Sequence, residues 1–575
     1  MIMAWMLQDH ALGLKDLARQ LCSMEMDDYT DIIRSAHRQK IVSDADRLAT
    51  TLIDANPGVA KRLRRLVTDE PTGADIAARW RKIEVDTNAI GQLPMVDLRD
   101  IDHDRAIWYS ARDPDATWRV YEVLWPKIQE MGLEDIYWVD IHALPMVARM
   151  EYRGMPISKR AFTGLQAIFE HKREWTGVEC QELAGRKFNP SSDDQKAEII
   201  FNNIKSVRTG KVLQPMSLTT AKRRPVVNLE ALERIRGEHP LIPKLIEFGR
   251  YDDMLTKFAR PVPRNAKQDD NGIWRVHGRI NPAGTETGRY KHSDPNLAAQ
   301  PVRYEEGIWI RNGFVAPPGK VFLSADYSQV EMRVMALAAR DPNMIQVFRD
   351  GRDIHAETAA SIWGITVNDI LDEHRKNPYG KRYVAKRGGF GTIYGISAIG
   401  FKEYLVKEAG GGFEDWDIKR CQQFLDDYFK LYPRVKEYGY EMQAQARRYG
   451  YVKDMWGRVR LLPQIRSSNR WIRAEGEREA INTGIQSGAM GIVKCGMATI
   501  EKEQIYNIGL AELLWPLNQI HDEMMFECAE NWVGYYAAII KPMLERAIPW
   551  GEMPVPIVVD MKAGKRWGEL KPVGK

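Results

Sequence analysis

The sequence predicts an α+β fold, and three observations carry that reading. Short β-type runs (GKVFLSADYS, LLWPLNQI and EMMFECA) gather beyond about residue 275, where Gly, Pro and Asn also become more frequent. Long helical tracts stand near 159–186, 229–258, 329–350, 379–394, 416–448 and 470–505. The two kinds of element do not alternate regularly, which argues against a doubly wound parallel sheet.

In chain order, residues 1–145 read as helices separated by polar breaks. The basic run KRLRRL (61–66) and the acidic run VDLRDIDHD (96–104) read as solvated helix faces or loops. LPMVARMEYRGMPIS (144–158) is a junction, where an apolar helix runs into Arg-Gly-Met-Pro, a helix-stop signal. Between the tracts at 159–186 and 229–258, KSVRTGKVLQPMSLTTAKRRP reads as a flexible basic loop. The 575 residues, 44% hydrophobic and 28% charged, describe a globular chain rather than a disordered or fibrous one. No stretch approaches about 18 apolar residues without a charge, so no membrane-spanning helix is expected. The opening MIMAWMLQDH lacks the basic flank of a secretory signal. Five scattered cysteines with no CxxC pair argue against a disulfide framework or structural zinc, and fit a reducing cytosol. The net charge of +5 permits nucleic-acid binding without establishing it.

Four segments carry chemistry. In KVFLSADYSQVEMR, Val321, Phe322 and Leu323 form an apolar strand, and Asp326 sits where that strand gives way to a helix. A carboxylate there can hold a metal ion, with the Tyr327 carbonyl as a second oxygen, or can simply cap the helix. In NQIHDEMMFECA, His521, Asp522 and Glu523 sit at the tip of two short strands. Adjacent acids at a tip are ordinary turn chemistry. Paired with Asp326, they could instead hold two metal ions about 4 Å apart for phosphoryl transfer. In GKRYVAKRGGFGTIYG, Arg382, Lys386, Phe390 and Tyr394 recur every four residues along one helical stripe. Two cations followed by two rings suit a nucleotide, although solvated cations and anchoring aromatics fit as well. Gly388, Gly389 and Gly391 each cost that helix about 1 kcal/mol, so something other than helix stability selects them. In GEREAINTGIQSGAMG, Arg478, Asn482 and Gln486 form a polar stripe, suited to a minor groove or simply to water.

Together these segments resemble family A DNA polymerases, the bacterial polymerase I group, over about 430 residues from roughly 145 onward. SADYSQVEMR is similar to the family's motif A, R-x3-K-x3-F-G-x2-Y-G to motif B and IHDE to motif C. TGRYKHSDPNLAAQPVR (287–303), DIHAETA (353–359), GRVRLLP (457–463) and EREAINTGIQSG (477–488) add to the match. FNPSSDDQ (188–195) and YDDMLTKF (251–258) resemble the thumb, and VPIVVDMKAGKRWGELK (555–571) the C-terminal strand. The resemblance implies a right-hand polymerase: thumb at 144–275, palm at 276–340 and 457–575, fingers at 341–456. It implies template-directed DNA synthesis in replication or repair, by two-metal nucleotidyl transfer from dNTPs to a primer 3′-hydroxyl. A single-subunit RNA polymerase and a catalytically inactive DNA-binding relative are the alternatives.

The same resemblance assigns roles. Asp326 and Asp522 become the ligands of two Mg²⁺ ions, for which Mn²⁺ can substitute, with the Tyr327 carbonyl beside them and Glu523 in a lesser part. Arg382 and Lys386 grip the triphosphate, with His355, Arg303 and Gln329 in the nucleotide site. Lys386 is also the proton donor to pyrophosphate. Phe390 packs on sugar and base, Tyr394 closes the pocket, and Glu331 crowds a ribose 2′-hydroxyl. Arg289, Arg478, Asn482, Gln486 and His521 contact primer–template DNA. Arg387-Gly388-Gly389 departs from the family's Ala and two bulkier residues, implying a softer closing helix.

Residues 1–143 resemble part of the family's ribonuclease H-like 3′→5′ exonuclease domain, through ALGLKDLARQL (11–21) and WYSARDPDATWRVYEVL (108–124). Tyr109 and Asp113 fit its last motif, Y-x3-D, but no Asp-x-Glu strand precedes them. The expectation is a remnant without proofreading of its own, repacked or completed by a separate chain. The implied setting is the cytoplasm of a bacterial or phage-infected cell, with DNA and dNTPs as partners and no membrane.

Overall fold

The computed structural model describes residues 2–7, 13–24, 26, 101, 103–215, 224–301, 304–409, 413, 415–506, 513–548 and 553–574. The basic run at 61–66, most of the acidic run at 96–104, residues 216–223 of the basic loop and Arg303 lie outside them. The chain divides into two compact units between Gly132 and Leu133.

In the first unit, helix Leu14–Cys22 packs against helix His103–Glu130. Ala116, Val120, Leu124 and Ile128 recur every four residues and form the buried stripe of the longer helix. Tyr109 and Asp113 lie on that helix, both partly exposed, and the Lys15 ammonium stands 6.0 Å from the Tyr109 ring centre.

The second unit opens with α1 (Glu134–Arg153), whose buried Ile136, Asp140, Ala143, Val147 and Met150 mark one face. Helix α1 runs through residue 143, where the sequence reading sets a domain boundary. Gly154, at φ 66°, stops it, as the Arg-Gly-Met-Pro signal predicts. Helix α2 (Lys159–Ala184) starts at Ser158, whose side chain accepts from the Ala161 N–H at 3.2 Å, and packs along α3 (Leu241–Asp253).

Next come strand β1 (Lys320–Tyr327) and helices α4 (Val330–Ala339), α5 (Ile354–Trp363), α6 (Lys381–Ile393), α7 (Ala398–Ala409), α8 (Ile418–Leu431), α9 (Pro433–Tyr449) and α10 (Arg470–Tyr506). The chain returns through β2 (Leu514–Ile520), β3 (Glu523–Ala529), α11 (Val533–Glu545), β4 (Val559–Gly564) and β5 (Lys571–Pro572).

Three expected helices are interrupted. The 229–258 tract is a short helix, Leu229–Arg234, then α3 and a π-helical turn, Met254–Ala259. The 329–350 tract breaks at Arg340, φ 54°, and Asp341 then caps helix Pro342–Arg349 by accepting from the Asn343 and Met344 N–H groups. The 416–448 tract breaks at Tyr432-Pro433, because proline disfavours a helical residue before it.

The sheet has the order β5-β4-β1-β3-β2 and is antiparallel throughout. β1 is central, and Val321 to Ala325 are buried on both faces, which is why the strand reads as a continuous apolar run. Leu323, Ala325 and Tyr327 join a core with residues of α4, α10 and α11, while Phe322 and Met525 join a second core with Phe162 and Phe314. Among the described residues, no helix is long and apolar enough to cross a membrane.

Candidate active site

The sheet brings carboxylates together at the C-terminal end of β1. Asp326 pairs in register with Glu523 of β3 on one side and with Asp560 of β4 on the other. Asp522 sits in the tight β2–β3 turn, where His521 takes φ 55°. The Tyr327 N–H donates to the Asp522 carbonyl at 3.1 Å, locking turn to strand. Asp522 thus lies beside Asp326, carried by the turn rather than by a strand of its own.

These acids lack enough compensating charge. Burial pushes Asp522 up to about 7, and the neighbouring Asp326 adds to the shift. Burial also raises Asp326, against the pull of Lys562, whose ammonium stands 3.6 Å away, and with the push of Asp560. Glu523 is raised by burial too, although the Ser324 hydroxyl donates to it at 2.5 Å. Among the described residues, no group of three or more His, Cys, Asp or Glu side chains converges to hold a metal ion. Two hard carboxylate donors without a closed cage are the kind of site Mg²⁺ takes when substrate phosphates and water complete its shell.

Helix α6 presents the second set. Arg382, Lys386 and Phe390 stand on successive turns, and Tyr394 is the C-cap, with Gly395 at φ 62° ending the helix. Arg382 is not free: its Nε and Nη2 donate to Asp353 Oδ2 at 2.8 and 2.6 Å. Asp353 also caps α5, accepting from the His355 and Ala356 N–H groups. Burial would raise the Asp353 carboxyl, but Arg382 and the backbone donors hold it below its ordinary value. His355 is buried and pushed down to about 3, so its ring is neutral, and its Nε2 has no hydrogen-bond partner. Its ring centre lies 5.8 Å from that of Phe390. Lys386 is lowered by burial and then by Arg387 and Arg382, which makes it a readier proton donor than an ordinary lysine.

A cavity of about 310 Å³ reaches one member of each set, Asp522 and Phe390. Arg289, Gln329, Glu331, Phe390, Gln486, His521 and Asp522 all line it. Arg289 donates to Glu331 at 2.5 Å, the Tyr394 hydroxyl donates to Glu331 at 3.1 Å, and Gln486 donates to the Tyr394 hydroxyl at 3.4 Å. Gln329, at φ 53°, and Asn482 each keep a buried side-chain carbonyl oxygen without a partner. His521 is lowered by burial and by nearby Arg289. Arg478 lines an adjoining cleft of about 1390 Å³ with Phe390, Tyr394, Arg208 and Arg234. Tyr109 and Asp113 belong to the other unit, and Arg303 lies outside the described residues.

The glycines of α6 have a packing reason. A Cβ on Gly388 would overlap the Phe424 ring of α8, and one on Gly391 would stand 2.7 Å from Ile396. Arg387 donates to the Tyr404 hydroxyl of α7 at 2.7 Å and stacks between the Tyr383 and Tyr404 rings. The departure from the family's motif B thus sits in tight contacts with α7 and α8 rather than in loose packing.

Sequence reasoning missed four participants: Asp353, Ser324, Asp560 and Lys562. Asp353 lies two residues before His355, at the N-cap position of a helix, a signal that was available. Asp560 and Lys562 alternate with apolar residues in β4, so their direction was legible but their strand partner was not.

A model of DNA polymerase family A matches residues 159–569. The chain is 34% identical to the DNA polymerase I of Rhizobium leguminosarum, over 82% of this chain and 44% of that protein. It is 32% identical to the thermostable DNA polymerase I of Thermus filiformis, over 79% and 50%. The chain thus spans about half the length of the curated relatives it matches. Among solved structures it resembles the POL domain of Pol1 from M. smegmatis, in complex with DNA primer-template and dNTP. That likeness has a TM-score of 0.67 at 25% identity, covering 79% of this chain and 74% of that one. With the family's three motifs gathered around one cavity, the chain belongs to DNA polymerase family A.

Proposed function

We propose that the chain catalyses template-directed DNA synthesis, joining a dNTP to a primer 3′-hydroxyl with release of pyrophosphate. The observation that carries this reading is one cavity lined by His521 and Asp522 of the β2–β3 turn, by Gln329 and Glu331 just beyond β1, and by Phe390 of α6. Undercompensated carboxylates at the end of β1 fit hard divalent cations, since a bound cation would offset the burial, and after it the neighbouring acids, that raise Asp326 and Asp522. Two Mg²⁺ ions, or Mn²⁺ in their place, held by Asp326, Asp522 and the Tyr327 carbonyl, would stabilise charge on the attacking and leaving oxygens.

Within that frame the side chains divide the work. Lys386, exposed and with its pKa lowered, binds the triphosphate and gives its proton to the departing pyrophosphate. Arg382, oriented by Asp353, and neutral His355 line the phosphates beside it. Arg303 and Gln329 are assigned to the same subsite, and Glu523 to support of Asp326 and Asp522. Phe390 packs on the sugar and base. Tyr394, held by Glu331 and Gln486, closes the pocket beside the templating base. Glu331, pinned by Arg289, fills the space a ribose 2′-hydroxyl would need. Arg289, Arg478, Asn482, Gln486 and His521 face the primer–template minor groove, whose acceptors are alike for every base pair.

The partners are primer–template DNA and dNTPs, in replication or repair, in the cytoplasm of a bacterial or phage-infected cell. Asp113 alone cannot hold two metal ions, so no proofreading is assigned to these residues, whether the region is a repacked remnant or is completed by a separate chain bearing the Asp-x-Glu strand. Primer extension tests the whole reading. The expected result is elongation with dNTPs and Mg²⁺ but not with rNTPs. Elongation with rNTPs instead would make the chain an RNA polymerase, and no elongation with either would make it a binding relative.

A further inference from the structure

Helix α10 carries the polar stripe Arg478, Asn482 and Gln486, and that stripe does not begin at Arg478. Trp471 precedes Arg478 by seven residues and Asn482 by eleven. At 3.6 residues per turn all three fall within about 20° of one line along the helix, with Trp471 about 10 Å beyond Arg478. Trp471 is 79% exposed and its neighbour Ile472 is 44% exposed. A large indole left in water on the helix that lines the candidate site is an unexplained exposure, and exposed apolar patches of this kind mark interaction surfaces.

The surroundings of Trp471 are basic. Arg466 and Arg470 are exposed, and no carboxylate among the described residues pairs with either. Arg473 donates to the Ser467 carbonyl at 3.1 Å, which fixes the turn leading into the helix. The nearby acids are largely engaged: Glu477 with Arg447 and Glu479 with Arg460. Glu475, one turn from Trp471, is the remaining acid on this face. The stripe reaches the closing pocket at Arg478, whose Cγ would lie 3.3 Å from a Cβ on Gly395 next to Tyr394, and at its far end through Gln486, which donates to the Tyr394 hydroxyl.

We propose that Trp471, with Arg466 and Arg470, is a stacking platform for the unpaired template strand on the 5′ side of the templating base. The proposal rests on the polymerase reading and adds to it a site for single-stranded nucleic acid. Every base has a π-face, so an exposed indole binds single strands without regard to sequence, while the arginines take the phosphates. The distance from Trp471 to Arg478 matches about three stacked nucleotides at about 3.4 Å each. A basic, aromatic surface collinear with the minor-groove stripe favours a nucleic acid strand over a protein partner.

The test measures affinity of the full chain for primer–template hairpins with 5′ template overhangs of zero, one, four and eight nucleotides. Wild type should gain about tenfold in affinity as the overhang lengthens from one to four nucleotides, and little beyond. Trp471→Ala should lose most of that gain, Trp471→Phe should keep most of it, and an abasic overhang should reproduce the loss in wild type. Arg470→Gln should lower the salt dependence of overhang binding by about 0.7 in log–log slope. The proposal is overturned if Trp471→Ala keeps the overhang gain, if it weakens blunt and overhung hairpins equally, or if the substitution instead dissolves a self-associated form of the chain. Wild type that extends primers but gains nothing from an overhang sinks this inference alone. Wild type that neither extends nor binds primer–template sinks the polymerase reading and this inference with it.

Discussion

The β1–β3 strand pair holds acids at both ends, and it treats them in opposite ways. At one end Asp326, Asp522 and Glu523 cluster with Lys562 in ion-pair range of Asp326 and with Arg289 and Arg311 acting only from farther off, and burial raises all three. At the other, Glu527 of β3 is fully buried, and there Arg153 donates at 2.5 Å, Arg275 at 2.9 Å and Lys320 at 3.1 Å. Burial pushes Glu527 up as it does the others, yet Arg275, Arg153 and Lys320 together hold it below its ordinary value. The two sites lie only four residues apart along one strand, about 14 Å. Desolvation is therefore common to both, and the supply of cations decides the outcome. Where the chain supplies cations itself, the acid ties β1 and β3 to α1 and the strand at 274–276. Where it withholds them, the acid is left to be neutralised by something that binds.

The strongest way to break this contrast is at the undercompensated end. Asp326→Ala or Asp522→Ala should lower the rate of primer extension by at least about a thousandfold, while primer–template affinity changes little. Neither should unfold the protein, and Mg²⁺ should raise the melting temperature of wild type more than that of either variant. Extension by either variant within tenfold of wild type would show that these acids are not the reacting centre.

The compensated end should behave in reverse. Glu527→Gln leaves three cations facing a neutral amide, and should cost about 3 kcal/mol in urea unfolding while primer extension at low temperature persists. Unchanged stability would show that the cluster is no lock. Glu331 sharpens the comparison, because it is an acid near the undercompensated end that does have a cation, Arg289. Glu331→Ala should cost little stability but relax discrimination against rNTPs by about tenfold or more, read as the ratio of kcat/KM values. An unchanged ratio would remove Glu331 as the gate.

The smallest effect is in pH. Because the folded Glu527 carboxyl lies below its unfolded value of about 4.3, its contribution is fully present above that pH. It is lost as pH falls through the folded value, with a slope of at most about 1.4 kcal/mol per unit. Wild type should therefore lose stability faster than Glu527→Gln on acidification below about pH 4, as followed by acid titration of the urea midpoint. Parallel curves for the two proteins would place the acid sensitivity elsewhere.

What could be read from the residues alone was whatever is local along the chain. The α6 stripe was legible because helix periodicity is a property of neighbours, so Arg382, Lys386, Phe390 and Tyr394 fall in line wherever that helix packs. The strand–turn–strand around His521 to Glu523 was legible for the same reason. Breaks at Arg340-Asp341-Pro342 and Tyr432-Pro433 carried local signals too, and were overrun by the apolar pattern on either side.

Tertiary structure decided the rest, because charge compensation and close packing join residues that sequence separates. Asp353 holds Arg382 from 29 residues away, and Arg153 reaches Glu527 across 374. Glycine in α6 showed its cost in the sequence, but only the Phe424 ring against Gly388 shows its reason. Which acids are neutralised and which left wanting depends on side chains meeting across the sheet. The sequence by itself determined that this chain carries the acids, cations and rings of the family A motifs in their order, whereas only folding determined which acid meets a cation, since a buried charge is set by its nearest neighbours in space.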